Sequence, residues 1–76
     1  MIKFEIYENS VENSSRIVSF KNEKEIHKEF YDMLSDYQYK YAITDEQIVE
    51  IVSWAELAEV GSDFTLDDIT IIVKEF

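Results

Sequence analysis

Ile2, Phe4 and Ile6 alternate with Lys3, Glu5 and Tyr7. That two-residue period is the mark of a strand with one face buried. Residues 8–15, ENSVENSS, are polar and read as a loop, and Arg16 to Phe20 is β-branched and aromatic enough for a second strand. The two runs predict a hairpin with a long connection, in which no Asn-Gly or Asp-Gly pair fixes the turn. The period then changes. Ile26, Phe30, Met33, Leu34, Tyr37 and Tyr41 recur at helical spacing, opened by Asn22 as N-cap, which predicts a helix over 22–39. Tyr37, Tyr39 and Tyr41 also alternate, so the final turn has an extended alternative.

A second helix has the stronger start signal. Thr44 and Gln47 have the spacing of a capping box, Ile43 and Ile48 that of a hydrophobic staple, and Asp45 and Glu46 sit where the helix dipole favours acids. Ile48, Ile51, Val52, Ala55 and Ala58 form its core face. Gly61, the only glycine, stands where a left-handed C-cap is needed, which predicts a helix over 45–60. Residues 62–67 read as a loop. Ile69, Ile71 and Val73 alternate with Thr70, Ile72 and Lys74 in a final strand over 68–76. The expected fold is α+β, in the order β-β-α-α-β, with a three-stranded sheet and both helices packed on one face. Its predicted core is Phe4, Ile6, Ile26, Phe30, Leu34, Ile48, Ile51, Val52, Ile69, Ile71 and Val73.

Composition narrows the chemistry more than the fold. The 76 residues allow one domain, 1–76. A chain of this size buries only about 60% of its unfolded surface, and it has no cysteine to cross-link and a single histidine, His27. Stability therefore falls on apolar packing. With 46% apolar and 14% aromatic residues, the chain has the material for it and is not an acidic disordered tail. One glycine excludes Walker, Rossmann and nucleophile-elbow loops. His27 has no nucleophile or oxyanion hole in its sequence neighbourhood and reads as a surface residue beside Lys24 and Lys28. Asp63, Asp67 and Asp68 lack the spacing and central glycine of a calcium loop. The chain is read as not an enzyme, with no cofactor and no metal. A strand-like start in place of an apolar leader, together with the absent cysteines, predicts a cytoplasmic protein.

The formal net charge is −10, and it is unevenly placed. Residues 1–40 carry eight acids and six bases, whereas residues 41–73 carry eight acids and no lysine or arginine. Direct nucleic-acid binding and anionic membranes are disfavoured, because both need clustered bases. A basic protein partner is favoured. Two stripes are the candidate contact surfaces. Glu25, Glu29, Asp32 and Asp36 share one face of the first helix. They span about 16 Å, or about 5.5 Å per charge, sparser than the roughly 3.4 Å per phosphate of a DNA strand. On the second helix Glu46, Val49, Glu50, Ser53, Leu57 and Val60 fall opposite the core face, with Trp54 at the boundary. Either that helix is buried on two sides, or it offers a mixed apolar and acidic contact surface.

The run Tyr37-Gln38-Tyr39-Lys40-Tyr41-Ala42-Ile43 and the base-free acidic segment after it resemble, in overall profile, the small acidic inhibitor proteins of phages and plasmids, of the anti-restriction and anti-CRISPR kind. That resemblance implies a short, single-domain, non-catalytic inhibitor and specifies no site. The expected function is an acidic protein-binding module, in its strongest form a DNA mimic that fills the nucleic-acid groove of a basic partner. The contact residues are Glu25, Glu29, Asp32, Asp36, Glu46, Val49, Glu50, Trp54 and Leu57. The alternative is a small assembly protein that homodimerises through the second helix, its charge serving solubility.

Overall fold

The structure, a computed structural model, describes residues 1–76. Its elements are β1 (Ile2–Glu8), β2 (Arg16–Phe20), α1 (Glu23–Tyr37), α2 (Asp45–Leu57), β3 (Asp63–Thr65) and β4 (Ile69–Glu75). The strands form one antiparallel sheet in the order β2-β1-β4-β3. The fold is α+β with both helices on one face, as the periodicities predict, but the sheet has four strands rather than three. The extra strand, β3, lies within residues 62–67, which read as a loop.

Alternation along the central strands explains the layering. Phe4 and Ile6 on β1, with Ile69, Ile71 and Val73 on β4, turn toward the helices and are buried. Lys3, Glu5, Tyr7 and Ile72 turn to the open face and stay partly exposed. Against the buried face pack Ile26, Phe30, Met33 and Leu34 of α1 and Ile48, Ile51, Val52 and Ala55 of α2. Every residue of the predicted core is buried. Phe4 is the hub, with the Phe30 ring edge-on at 4.8 Å and Phe20 at 6.0 Å. Such edge contacts add about 0.5–1.5 kcal/mol each beyond area burial. Thr70 is the one buried polar residue. Its hydroxyl donates to Asn9 Oδ1 at 2.6 Å, and Asn9 Nδ2 donates to the carbonyls of Leu66 and Asp67. A single asparagine thereby fastens the β1–β2 loop to the β3–β4 turn.

Both helix starts form as their sequences predict. The Asn22 side chain accepts from the Lys24 N–H. The capping box is complete: the Gln47 N–H donates to Thr44 Oγ1 at 3.1 Å, and the Thr44 N–H donates to Gln47 Oε1 at 2.9 Å. The staple residues Ile43 and Ile48 are both buried. α1 ends without a glycine. Gln38 caps it and then spans the turn, its Nε2 donating to the Ile43 carbonyl and to Asp45 Oδ1.

The end of α2 differs from expectation. The helix stops at Leu57, the backbone is extended at Ala58, and Gly61 is not its C-cap. Gly61, at φ +92°, instead begins the sheet. Its N–H donates to the Val73 carbonyl at 2.9 Å, and the Val73 N–H donates to the Ser62 carbonyl at 2.9 Å. Two residues of one strand thus face one of the other, the pattern of a bulge with glycine at its first position. The Ser62 N–H closes a tight turn onto the Glu59 carbonyl at 3.0 Å. With a positive φ at its third residue, Gly61, and none at its second, the turn has the type II pattern, which favours glycine there. Pairing with β4 therefore overrides the helical pattern of residues 58–60.

Candidate functional site

α2 presents the most distinctive surface. With about 100° of rotation per residue, burial of Ile48, Ile51, Val52 and Ala55 fixes which side chains face away. Glu46, Glu50 and Ser53 are exposed, and so are Val49 at 54% and Leu57 at 86%. Val60, expected on the same face, is exposed too but lies beyond the end of the helix, in the turn that leads into β3. Of the two alternatives for this helix, burial on both sides does not occur. One side enters the core, and the other is a mixed apolar and acidic surface. Trp54 belongs to the boundary. Its ring is 5.5 Å from Phe64 and 6.3 Å from Phe4, so it seals the edge of the core beside β3 and leaves only part of itself to solvent.

The stripe on α1 forms, but on a different flank. Glu29, Asp32 and Asp36 are exposed and Glu25 is half-buried, its carboxylate accepting the Lys21 N–H at 2.9 Å. Glu29 borders β2 together with Met33, and Asp36 stands beside Arg16 and Lys40. The helical rotation places Lys24, Lys28 and Tyr31 between this stripe and α2. The seam between the antiparallel helices is bridged by His27 Nδ1 and Glu56 Oε1 at 3.2 Å. The contact residues anticipated from sequence thus fall on two separate surfaces. Glu25, Glu29 and Asp36 lie along the β2 side of α1, whereas Asp32 turns away from β2 and lines a recess with His27, Lys28 and Tyr31. Glu46, Val49, Glu50 and Leu57 lie on the outer side of α2. A DNA-like array that joins both is interrupted by two lysines.

Sequence reasoning missed a charged clasp at the other end of the helices. Lys40 Nζ lies 2.6 Å from Glu8 Oε1, and the Tyr41 hydroxyl donates to that same oxygen at 2.6 Å. The Glu8 side chain is only 15% exposed. Hydrogen bonds from Lys40 and then Tyr41 hold the Glu8 carboxyl below its ordinary range. The bond to Glu8 pushes Lys40 and Tyr41 up in turn. The clasp ties the end of β1 to the α1–α2 connection. Its signal lay in the lone lysine of the Tyr-rich run, Tyr39-Lys40-Tyr41, but nothing local names Glu8 as its partner. A carboxylate so stabilised in its ionised form is a weak proton acceptor, so the clasp suits anchoring rather than proton transfer.

No three His, Asp or Glu side chains gather closely enough to hold a metal ion, Asp63, Asp67 and Asp68 included. No helix is long and apolar enough to cross a membrane. The chain matches no protein-family model, no curated protein and no solved structure.

Proposed function

We propose that this chain is a non-catalytic protein-binding module that docks the outer side of α2 onto a basic partner. The observation that carries the reading is Leu57, 86% exposed on a helix face that also bears Glu46 and Glu50, within a stretch of 33 residues, 41–73, free of lysine and arginine. Exposed apolar side chains supply the desolvated centre of an interface, and a one-signed rim steers an oppositely charged partner and sets the association rate. The separation of the two acidic surfaces favours such local docking over mimicry of a continuous duplex. An inhibitory role, as the resemblance to small phage and plasmid inhibitors implies, follows if the docked partner surface is a nucleic-acid groove.

Homodimerisation through the same face is the second reading, favoured by the same exposed Val49 and Leu57. Such a dimer would, however, join two copies of a face that carries Glu46 and Glu50, on molecules of net charge −10, where like charges repel.

The test compares proteins retained by immobilised wild type, Glu46→Lys/Glu50→Lys and Leu57→Asp at low and at high salt, with circular dichroism to confirm folding. These side chains are exposed, so stability should change by no more than about 0.5 kcal/mol. A specific basic partner should be lost with both variants. Retention of the same partner by both would exclude this face. A wild-type dimer in light scattering that Leu57→Asp dissolves, while the charge reversal does not, would establish the assembly reading instead.

A further inference from the structure

The two edges of the sheet are not equivalent. β3 is three residues long and carries Asp63, the kind of short, charged edge that resists pairing with another chain. β2, RIVSF, is longer and has no proline, no bulge and no charge beyond Arg16 at its start. Its only partner is β1. Alternate residues of an edge strand turn their backbone N–H and C=O outward, and no hydrogen bond from outside the β1 pairing reaches residues 16–20.

Beside that edge lies a recess of about 210 Å³, floored by Val18, Phe20 and Met33 and bordered by Arg16 and Glu29. α1 runs antiparallel to β2 along it. Glu25 bonds Lys21 just past one end of the strand, and Asp36 stands beside Arg16 at the other. Glu25, Glu29 and Asp36 therefore accompany the open edge from one end to the other. Five strand residues cover about 17 Å, and Glu25 to Asp36 covers about 16 Å of helix. Glu25 and Glu29 are about 6 Å apart along the helix and Glu29 and Asp36 about 10.5 Å, within reach of flexible lysine or arginine side chains that recur about every 6.8 Å on one face of an added strand.

We infer that the β2 edge and the adjoining flank of α1 bind an extended, Lys/Arg-rich segment of a partner protein by strand addition. The backbone of the segment pairs with β2. Its helix-side lysines or arginines lay their stems over Val18 and Met33 and set their charges against Glu29 and Asp36. Arg16 and Lys21 mark the two ends of the acidic track and limit it to about five residues of partner. A second copy of this chain is a poor occupant. Pairing β2 with its own copy would bring two acidic stripes together on molecules of net charge −10. The inference does not depend on the α2 reading, because the two surfaces lie on different sides of α1.

The probe is a synthetic peptide of alternating lysine and valine, titrated into the ¹⁵N-labelled full chain at low salt. Amide shifts should move along residues 16–21 and the Glu25–Asp36 flank, and amide exchange should slow at alternate residues of β2. Two comparisons separate pairing from bulk charge attraction. The same peptide with alternate backbone amides N-methylated on its pairing edge keeps its charge and should bind about tenfold more weakly or worse. Glu29→Lys/Asp36→Lys should weaken the parent peptide by a similar factor, whereas Glu46→Lys/Glu50→Lys should leave it unchanged. The inference is overturned by equal binding of the methylated peptide, by shifts centred on residues 46–57, by no binding at millimolar peptide, or by a concentration-dependent dimer joined through residues 16–20.

Discussion

Replacing Gly61 by alanine should destabilise the protein, and the sign is the informative part. Were residue 61 in ordinary right-handed or extended backbone, alanine would stabilise by about 0.4–1 kcal/mol, because the unfolded chain would lose freedom. At φ +92° an L-residue instead carries a penalty of about 1–2 kcal/mol. An added Cβ meets no atom within 4 Å, so no clash enlarges that penalty and no packing reduces it. The two terms leave a net loss of about 1 kcal/mol for Gly61→Ala. In a domain of this size that lowers the melting midpoint by about 4–8 °C. Gly61→Asn should lose less, since asparagine tolerates a positive φ, and Gly61→Val should lose more. Urea melts followed by Trp54 fluorescence, beside thermal melts by circular dichroism, give the order Gly, Asn, Ala, Val. A gain in stability for Gly61→Ala, or equal midpoints for all four, would refute the bulge as the reason for this glycine.

Other substitutions test the helix start and the clasp. Thr44→Ala removes the acceptor of the Gln47 N–H and should cost about 1 kcal/mol, whereas Thr44→Ser should stay near wild type; matched urea midpoints for Thr44→Ala and wild type would count against the capping box. The Glu8 carboxyl titrates below its unfolded value, so its contribution to stability is present above the ordinary carboxylate range and is lost as pH falls through the lowered one. Lys40 and Tyr41 are raised, so their contribution is present below their ordinary values and is lost as pH climbs past the raised ones. The gap in urea midpoint between wild type and Glu8→Gln should therefore be widest near neutral pH and close toward acid, and a gap independent of pH would remove the clasp as its cause.

What could be read from the sequence was whatever a single period controls. The half-buried strands, the core side of each helix and the capping box all rest on residues no more than five positions apart. β3 was hidden for a physical reason. Its pairing is dictated by β4, and its own apolar content is Phe64, which packs on Trp54. The hairpin joining β3 to β4 closes through Asp67-Asp68, with the Leu66 N–H donating to the Ile69 carbonyl, and it contains none of the glycine or asparagine that usually marks a two-residue turn. The early end of α2 was hidden likewise, because Ala58, Glu59 and Val60 continue a helical pattern that loses to sheet pairing one turn later. The acidic residues of both stripes were legible as stripes. Their separation by Lys24 and Lys28 was not, because it depends on how α1 is rotated against the sheet.

The placement of β1 and β4 side by side at the centre of the sheet governs the order in which the molecule can assemble. Glu8 pairs with Ile69, so the middle of the sheet closes only after a loop of roughly 60 residues has been gathered, an entropic cost paid before the contacts that reward it. A nascent chain still missing residues 69–75 holds one hairpin and two helices, but its central strand lies bare along one side and half of the apolar floor beneath α2 does not exist. During synthesis the helices have no complete surface to settle on, so folding must wait for the last strand to emerge. Until then the exposed β1 is the segment most open to chaperone capture and to pairing with a neighbouring chain.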